Sequence, residues 1–227
     1  MWPLCKLARV MRGVFFDLDN TLLDRALAFE GYLDELARRL PETFFDEAAR
    51  QEVRALDDRG YRDRPSFCRL MAERFPALGT PARVWEDFAG GLTRAVRPEP
   101  AVLELLDRLG ERFTLAVVTN GSSQRQREKL RRADLLQRFG HLFISEELGL
   151  EKPDPALFRR ALERTGLEAG AVLHVGDDPA RDVAGARAAG LACCWVAHGR
   201  TYPAGPPRPT MTVDRIEELG HLLLAAS

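Results

Sequence analysis

Several features are scarce in this chain of 227 residues, and each scarcity narrows the functions that the chain can have. The 33 basic and 34 acidic residues leave a formal net charge of −1, so no broad positive surface is available for nucleic acid or an anionic membrane. No apolar run approaches the roughly 20 residues that a membrane-spanning helix needs. We therefore expect neither a nucleic acid polymer nor a membrane among the partners.

Cysteine is also scarce. The four cysteines, Cys5, Cys68, Cys193 and Cys194, show no C-x-x-C spacing, and the last two lie in an apolar run. This pattern is typical of small buried side chains in a reducing compartment, and not of a disulfide framework or a zinc site. Residues 1–10 are too short and too weakly apolar for a secretory signal. These observations predict a cytoplasmic protein.

Lysine is the rarest of the common charged residues. Only three of the 33 basic residues are lysine, namely Lys6, Lys129 and Lys152. A lysine that occupies a defined place in a motif is therefore informative in this chain, whereas an arginine at any one position is not.

An apolar run at residues 14–16 ends abruptly in two carboxylates, Asp17 and Asp19. The run is typical of a buried strand. Because an unpaired buried carboxylate costs several kcal/mol, roughly, we predict that the strand ends before the two acids. Both would then emerge at its carboxyl edge, where open α/β sheets bind ligands. A turn or a helix N-cap explains a bare Asp-x-Asp pair about as well.

Residues 24–97 contain no convincing strand, and their apolar residues recur at helical spacing. The fourth predicted helix has Thr80 as its N-cap and Pro81 at its first position. We predict a small four-helix domain at 24–97. Its helices are expected before Pro41, from about Glu42 to Arg59, after Pro65, and from Pro81 onward.

From Pro98 onward, predicted helices and strands alternate. This alternation predicts a parallel, doubly wound sheet and an α/β fold for residues 11–23 and 98–227. A C-terminal helix is expected at about Ile216–Ala225. The further strands are predicted at Phe113–Val118, Leu142–Ile144, Val172–Val175 and Leu191–Val196.

Polar groups follow three of the predicted strands, at Asp17 and Asp19, at Thr119 and Asn120, and at Asp177 and Asp178. In a parallel sheet these strand ends lie along one edge. Oxygen ligands without histidine or cysteine suit a hard cation, usually Mg²⁺. A hydroxyl followed by backbone amides before a helix, as at Thr119–Gly121, suits a phosphate group. The sequence therefore predicts a metal site and a phosphate site at the same edge.

Four segments, in this order, resemble the four motifs of the haloacid dehalogenase superfamily. They are Asp17–Thr21 (DLDNT), Thr119–Gly121 (TNG), Lys152–Pro153 (KP) and Gly176–Asp182 (GDDPARD). The resemblance covers roughly residues 13–200 and implies a Rossmann-like core. The helical segment at 24–97 is similar to the cap of the subgroup whose cap lies between the first two motifs. Such a cap is expected to face the crevice and to select the leaving group.

The resemblance implies roles for the acids. Asp17 would attack phosphorus and form an aspartyl-phosphate, while Asp19 would protonate the leaving oxygen and then deprotonate the attacking water. Mg²⁺ would be held by Asp17, the backbone carbonyl of Asp19, and Asp177.

The resemblance also implies roles for the remaining motif residues. Thr119 and the amides of Asn120 and Gly121 would bind phosphoryl oxygens, and Lys152 would balance the charge that develops there. A turn residue and a surface lysine are the alternatives for Thr119 and Lys152.

Two further acids and the four histidines are expected to support the fold or the site without reacting. We expect Asp178 to be a helix N-cap in preference to a metal ligand, and Asp182 to support Lys152 or a metal-bound water. The four histidines, His141, His174, His198 and His221, are expected to be structural.

The acid at Asp19 favours hydrolysis of a phosphate monoester, because dehalogenases of this family attack carbon and lack an acid at that position. A phosphomutase would share the acid and exclude water. A binding module without activity would be expected to lose one of Asp17, Asp19, Lys152 or Asp177.

The substrate class follows from the branch that the chain resembles. Thr119–Gly121 and the stretch 144–149 are similar to nucleotidases and acyl-sugar phosphatases, which implies a nucleotide or sugar phosphate. The cap candidates for substrate contact are Arg25, Tyr61, Arg62 and Arg64.

Overall fold

The computed structural model of the protein describes residues 10–44, 46–60 and 62–224. Contacts divide the chain into two compact units, one comprising Asp24–Arg97 and the other the segments on either side of it. No helix among these residues is both long enough and apolar enough to cross a membrane.

The larger unit is built on one parallel sheet. Its strand order is β3-β2-β1-β4-β5-β6, so the chain winds outward from β1 on one side and then returns to build the other. The predicted doubly wound parallel sheet is confirmed. The strands are β1 (Gly13–Phe16), β2 (Thr114–Thr119), β3 (His141–Ile144), β4 (Val172–Gly176), β5 (Ala192–Val196) and β6 (Met211–Val213).

The smaller unit is helical over its described residues. An aromatic group holds the helices together, with the ring of Phe88 4.6 Å from Phe67 and 5.3 Å from Tyr32. Gly91 permits this close packing, because a Cβ atom there would lie 2.2 Å from the Tyr32 ring. Its α-helices are α1 (Arg25–Arg39), α2 (Pro41–Phe44), α3 (Glu47–Asp57), α4 (Arg64–Arg74) and α5 (Pro81–Ala95), with 3₁₀ turns at Asp58–Gly60 and Pro76–Leu78.

The second predicted helix of this unit is wrong in one respect. The segment from Glu42 to Arg59 is not continuous, since α2 ends at Phe44 and α3 begins at Glu47. Asp46 caps α3 by accepting a hydrogen bond from the amide of Ala49 at 2.8 Å. This local bond starts a new helix, and helical periodicity alone does not reveal it.

The remaining helices flank the sheet. A run of π-helical turns at Pro179–Val183 precedes α10, and 3₁₀ turns lie at Leu136–Arg138 and Ala169–Ala171. The helices are α6 (Pro100–Gly110), α7 (Ser123–Arg132), α8 (Ser145–Leu148), α9 (Pro155–Thr165), α10 (Ala184–Ala188) and α11 (Glu218–Leu224).

The central strand is buried on both faces, which explains why it is apolar at every position from Val14 to Phe16. Phe15 belongs to a hydrophobic cluster with Val118 of β2 and Phe158 of α9. On the opposite face, the ring of Phe16 meets Phe139 edge-on at 6.2 Å. The polar residues that follow β1 are thus carried by a strand fixed from both sides.

Strand β6 was not predicted from the sequence, and the last helix begins later than predicted. Glu218 begins α11, two residues after the predicted start at Ile216, and the predicted end at Ala225 lies outside the described residues. Strand β6 has only three residues, too few for alternation to show. It is fixed beside β5, where the amide of Thr210 donates to the carbonyl of Cys193 at 2.9 Å.

Candidate active site

The ends of three strands meet at one edge of the sheet. Phe16, the last residue of β1, is in register with Val117 of β2 and with Val175 of β4. The amide of Asp17 continues the ladder by donating to the carbonyl of Val175 at 2.9 Å. Because β1 lies between β2 and β4, Asp17 emerges beside Thr119 and Asp177, as the alternation of strands and helices predicts.

Lys152 is the cation at the centre of this edge. Its side chain is only 3% exposed, and Nζ donates to Asp17 Oδ1 at 2.5 Å and to Asp182 Oδ1 at 2.6 Å. Asn120 fixes the backbone of Lys152 from both sides: its Oδ1 accepts from the Lys152 amide at 2.8 Å, and its Nδ2 donates to the Lys152 carbonyl at 2.9 Å. The side chain of Asn120 therefore positions the lysine, a contact that sequence reasoning missed.

Asp182 is the second carboxylate that accepts a hydrogen bond from Lys152, besides Asp17. Besides Lys152, it accepts from His174 Nε2 at 3.0 Å and from the amide of Asp178 at 3.0 Å. Gly176 leaves room for this carboxylate, since a Cβ atom there would lie 2.3 Å from Asp182 Cγ. Asp178 is a helix N-cap, as expected, with Oδ1 accepting from the amides of Ala180 and Arg181 at 2.8 and 3.0 Å.

His174 is buried in β4 and completes the support of Asp182. Burial lowers the pKa of His174 from its ordinary value, so the neutral ring donates its Nε2–H to the carboxylate. The ring of Phe158 packs edge-on against it at 4.8 Å. His174 was expected to be structural, and its hydrogen bond to Asp182 was not predicted.

The carboxylates outnumber the buried cation. Burial raises the pKa of Asp17 to about 7, against the opposing charge of Lys152. Burial and the neighbouring Asp17 raise the pKa of Asp177 to about 9. For Lys152, burial alone would lower the pKa, but Asp17 and Asp182 hold it above its usual value. For Asp182, Lys152 and His174 outweigh burial and hold the pKa below its ordinary range.

Carboxylate oxygens of Asp17, Asp177 and Asp182 lie within 4.8 Å of one another. If all three carboxylates were ionised beside one lysine, they would leave excess negative charge in a buried space, which a divalent cation would relieve. A donor set made only of oxygens suits a hard cation. The residues present therefore fit a divalent metal. Both carboxylate oxygens of Asp182 already accept hydrogen bonds, Oδ1 from Lys152 and His174 and Oδ2 from the Asp178 amide, whereas Lys152 contacts Asp17 through Oδ1 alone. This difference favours Asp17 and Asp177 as the ligands.

Asp177 is held from the side of β5. The indole Nε1 of Trp195 donates to the carbonyl of Asp177 at 2.8 Å. Arg200 donates to the same carbonyl at 2.9 Å and lies 3.3 Å from Asp177 Oδ2. No motif of the sequence indicates either residue, because each contacts Asp177 only once β5 lies beside β4.

Asp19 lies in a different environment from Asp17. Its two carboxylate oxygens accept from Lys129 Nζ at 2.8 and 2.6 Å. Gln126 donates to Thr119 Oγ1 at 2.7 Å and lies 3.4 Å from Asp19 Oδ2. Sequence reasoning missed both residues of α7, although the rarity of lysine was a signal that could have identified Lys129.

The predicted phosphate loop lies at the end of β2. Thr119 is buried, and its hydroxyl is oriented by Gln126. The amide of Gly121 donates to Ser145 Oγ at 2.9 Å. The phosphate-binding role of Gly121 stays a prediction, and this bond would have to be exchanged for it.

The cap candidates divide into three cases. Arg25 forms a two-pronged ion pair with Asp57, with distances of 2.8 and 2.6 Å and exposures of only 7% and 1%. This pair favours a structural part for Arg25. Arg62 donates to the carbonyl of Leu56 at 2.6 Å, and Arg64 lies 3.6 Å from Asp57. Tyr61 lies outside the described residues.

Known proteins resemble this chain over nearly its whole length. The pyrimidine 5′-nucleotidase YjjG of Escherichia coli strain K12 is 38% identical over 222 residues, covering 92% of this chain and 96% of its own. The Bacillus subtilis HAD-hydrolase YfnB, in a crystal structure bound to magnesium, has a TM-score of 0.79 and 25% identity, covering 94% of this chain and 98% of its own.

A dehalogenase is also among the similar structures. The 2-haloacid dehalogenase of Pseudomonas syringae pv. Tomato DC3000 has a TM-score of 0.62 and 30% identity, covering 96% of this chain and all of its own. Phosphatases and nucleotidases among the relatives support a phosphatase. A match described as a hydrolase, haloacid dehalogenase-like, covers residues 11–190. The chain belongs to the haloacid dehalogenase-like hydrolase family.

Proposed function

We propose that the protein is a Mg²⁺-dependent phosphomonoester hydrolase that acts through an aspartyl-phosphate on Asp17. The observation that carries the proposal is the pairing of buried Asp17 with Lys152, while the carboxylate of Asp19 lies apart on Lys129. This arrangement supports a role for Asp17 as the nucleophile beside a cation and a role for Asp19 in proton transfer.

The first half of the reaction forms a bond between an Asp17 oxygen and phosphorus, while the bond from phosphorus to the leaving oxygen breaks. Asp19 donates a proton to that oxygen, which leaves as an alcohol. Lys152 and the hydroxyl of Thr119 balance and bind the equatorial oxygens of the phosphoryl group.

The second half returns the enzyme to its starting state. Asp19, now a carboxylate, takes a proton from water as the water oxygen attacks phosphorus. The Asp17–phosphorus bond breaks, inorganic phosphate forms, and Asp17 is again a carboxylate. Mg²⁺, held by Asp17, Asp177 and the backbone carbonyl of Asp19, would neutralise phosphate charge beside the nucleophile as a Lewis acid.

The proposed substrate is a small phosphorylated metabolite, a nucleotide or a sugar phosphate. The name of the Escherichia coli relative, a pyrimidine 5′-nucleotidase, supports a nucleoside monophosphate. A location in the cytoplasm is part of the proposal, supported by Cys68, Cys193 and Cys194, which are buried free thiols.

A haloacid dehalogenase is the rival within the family, and the neighbouring Pseudomonas structure makes the comparison necessary. Attack on carbon with loss of halide needs no proton on the leaving atom. In that reaction Asp19 would not be needed as a proton donor, and its contact with Lys129 would serve no catalytic purpose. An assay that offers both phosphate esters and 2-haloacids separates the two activities.

The test uses purified full-length protein with p-nitrophenyl phosphate, a panel of nucleotides and sugar phosphates, and 2-haloacids. We expect Mg²⁺-dependent release of phosphate that EDTA stops and that Asp17→Asn abolishes. Asp107→Asn is the matched control, since Asp107 pairs with Arg138 on the surface of α6, and it should keep full activity. Halide release without phosphate release would overturn the proposal, and isomerisation of a sugar phosphate without free phosphate would replace it with a mutase.

A further inference from the structure

The two lysines of the described residues contact different acids of the site. Lys152 contacts Asp17 and Asp182, whereas Lys129 contacts Asp19 with both carboxylate oxygens. The clustered carboxylates are those of Asp17, Asp177 and Asp182. The side chain of Asp19 is therefore held on a cation of its own, although it is only two residues from Asp17.

The contact to Lys129 is built into helix α7. Gln126 and Lys129 are three residues apart and so share one side of the helix. Gln126 is 2% exposed, and the side chain of Lys129 is 13% exposed. The arginines nearby turn elsewhere: Arg127 pairs with Glu147, and Arg131 pairs with Glu128.

The choice of lysine at this position is chemically informative. The other 30 basic residues of the chain are arginine, and both lysines of the described residues contact acids of this site. A lysine ammonium is a compact point charge, whereas a guanidinium is a broad planar fork. The compact group contacts both carboxylate oxygens of Asp19 while 36% of that side chain is exposed.

We propose that Lys129 and Gln126 are positioning residues for the reaction: Lys129 holds the Asp19 carboxylate away from the metal cluster and towards the leaving oxygen, and Gln126 orients the Thr119 hydroxyl. The inference rests on the proposed phosphatase function, in which Asp19 transfers the proton. Without Lys129, the Asp19 side chain would be free to turn towards the cation that its neighbours bind. Proton transfer to the leaving oxygen would then be impaired.

The test compares leaving groups. Lys129→Met keeps the length of the side chain and removes its charge, and Lys129→Gln is a second variant in case the first folds poorly. Arg131→Met on the same helix is the matched control. The measurement is kcat/KM for an alkyl phosphate, whose leaving group needs a proton, and for p-nitrophenyl phosphate, whose leaving group does not.

We expect both Lys129 variants to lose about 10- to 100-fold on the alkyl phosphate and less than about threefold on p-nitrophenyl phosphate. Lys129→Arg keeps the charge in a broader group and should restore only part of the loss, and Arg131→Met should match the wild type. The double variant Lys129→Met/Asp19→Asn should be no slower on the alkyl phosphate than Asp19→Asn alone, because Lys129 acts through Asp19.

The outcomes separate the two proposals. Wild-type protein without phosphatase activity would overturn both. If the wild type is active and Asp19→Asn shows the leaving-group pattern, equal losses on both substrates for Lys129→Met would overturn only the positioning role. Weaker inhibition of Lys129→Met by inorganic phosphate would also overturn it, because Lys129 would then bind phosphate directly.

Discussion

At the scale of single residues, Asp17 and Asp19 are near neighbours in different environments. Asp17 is buried against Lys152, and Asp19 is partly exposed and bound by Lys129. Each carboxylate contacts a different lysine, and of the two only the Asp17 side chain belongs to the cluster that fits a metal. The two acids are therefore suited to different chemical tasks.

The first prediction is unequal damage from substitution. Asp17→Asn should abolish phosphoenzyme formation on every substrate, because an amide is not a competent nucleophile. Asp19→Asn should slow an alkyl phosphate by roughly 10²- to 10⁴-fold and p-nitrophenyl phosphate much less, because only the former needs a proton donor. Steady-state kinetics on both substrates measures the difference. Equal losses for Asp19→Asn on both would contradict this division of tasks.

The second prediction concerns pH and metal. The pKa of Asp177 is raised to about 9 and that of Asp17 to about 7, from the ordinary 3.8. A raised acid keeps its proton in the folded chain after the unfolded chain has lost it, so stability falls as pH rises through that range. His174, whose pKa is lowered, acts in the opposite direction below its ordinary value of 6.5. The pH range above 6.5 therefore isolates the effect of Asp17 and Asp177 on stability from that of His174.

In EDTA, the melting temperature should fall by about 3 °C between about pH 7 and about pH 8, and added Mg²⁺ should stabilise more at the higher pH. Asp177→Asn should flatten the fall and remove most of the Mg²⁺ effect, whereas Asp107→Asn should leave both unchanged. Differential scanning calorimetry measures these shifts. A metal-free protein whose stability rises over this window would refute the electrostatic account.

Motif residues and supporting residues differ in how well sequence reveals them. Asp17 and Lys152 follow from local patterns, since each is an anomaly where it stands: acids after an apolar run, and a lysine in an arginine-rich chain. Arg200 and His174 were not predicted as parts of the site, because the contact of Arg200 depends on β5 lying beside β4, and that of His174 depends on the chain folding back over β4 after Gly176. That information is not local, so periodicity and spacing do not contain it.

At the scale of elements, the junction after β4 shapes the site. Gly176 ends the strand, Asp178 caps the turn that follows, and Asp182 returns to lie against Gly176. The close approach leaves no space for a side chain. The geometry of Lys152 therefore depends on one backbone position that takes no part in the reaction.

The third prediction follows from that contact. Gly176→Ala should destabilise the protein by about 1–3 kcal/mol, because its Cβ would displace the buried Asp182. It should also reduce kcat by moving Lys152. Gly170→Ala is the control, since nothing lies within 4 Å of a Cβ there. Thermal unfolding and phosphatase assays measure both effects, and equal behaviour of the two variants would count against the packing argument.

The fourth prediction concerns the helical unit. Breaking the buried Arg25–Asp57 pair with Asp57→Asn should cost about 3 kcal/mol, because Arg25 is left without its charge partner. Replacing both residues, Arg25→Met with Asp57→Leu, should cost less than Asp57→Asn alone. Chemical denaturation measures these differences. If Arg25→Met instead raised KM without loss of stability, Arg25 would be a substrate contact and not a structural residue.

Most elements were predicted to within one or two residues because their apolar patterns are strong. The break at Asp46 and the strand Met211–Val213 were not, since one is a single side-chain cap and the other is three residues long. Short features of this kind are decided by individual hydrogen bonds.

At the scale of the whole molecule, the four motifs of the candidate site all belong to the larger unit, although they are separate segments of the chain. The parallel sheet brings these segments together, because β1, β2 and β4 are neighbours that end at one edge. The order of the motifs along the chain was readable from the sequence, whereas the substrate was not. The arginines expected to contact the substrate could not be singled out, because 30 arginines are spread through the chain.

The measurement that tests the central claim most directly is detection of the phosphoenzyme. Protein mixed with excess substrate and Mg²⁺ is quenched in acid within the first turnover, digested and mapped by mass spectrometry. The account predicts one phosphoryl group on the peptide that contains Asp17, absent from Asp17→Asn and lost on longer incubation. Release of phosphate in the first turnover with no phosphoryl group on Asp17, or with the group on another residue, would contradict it.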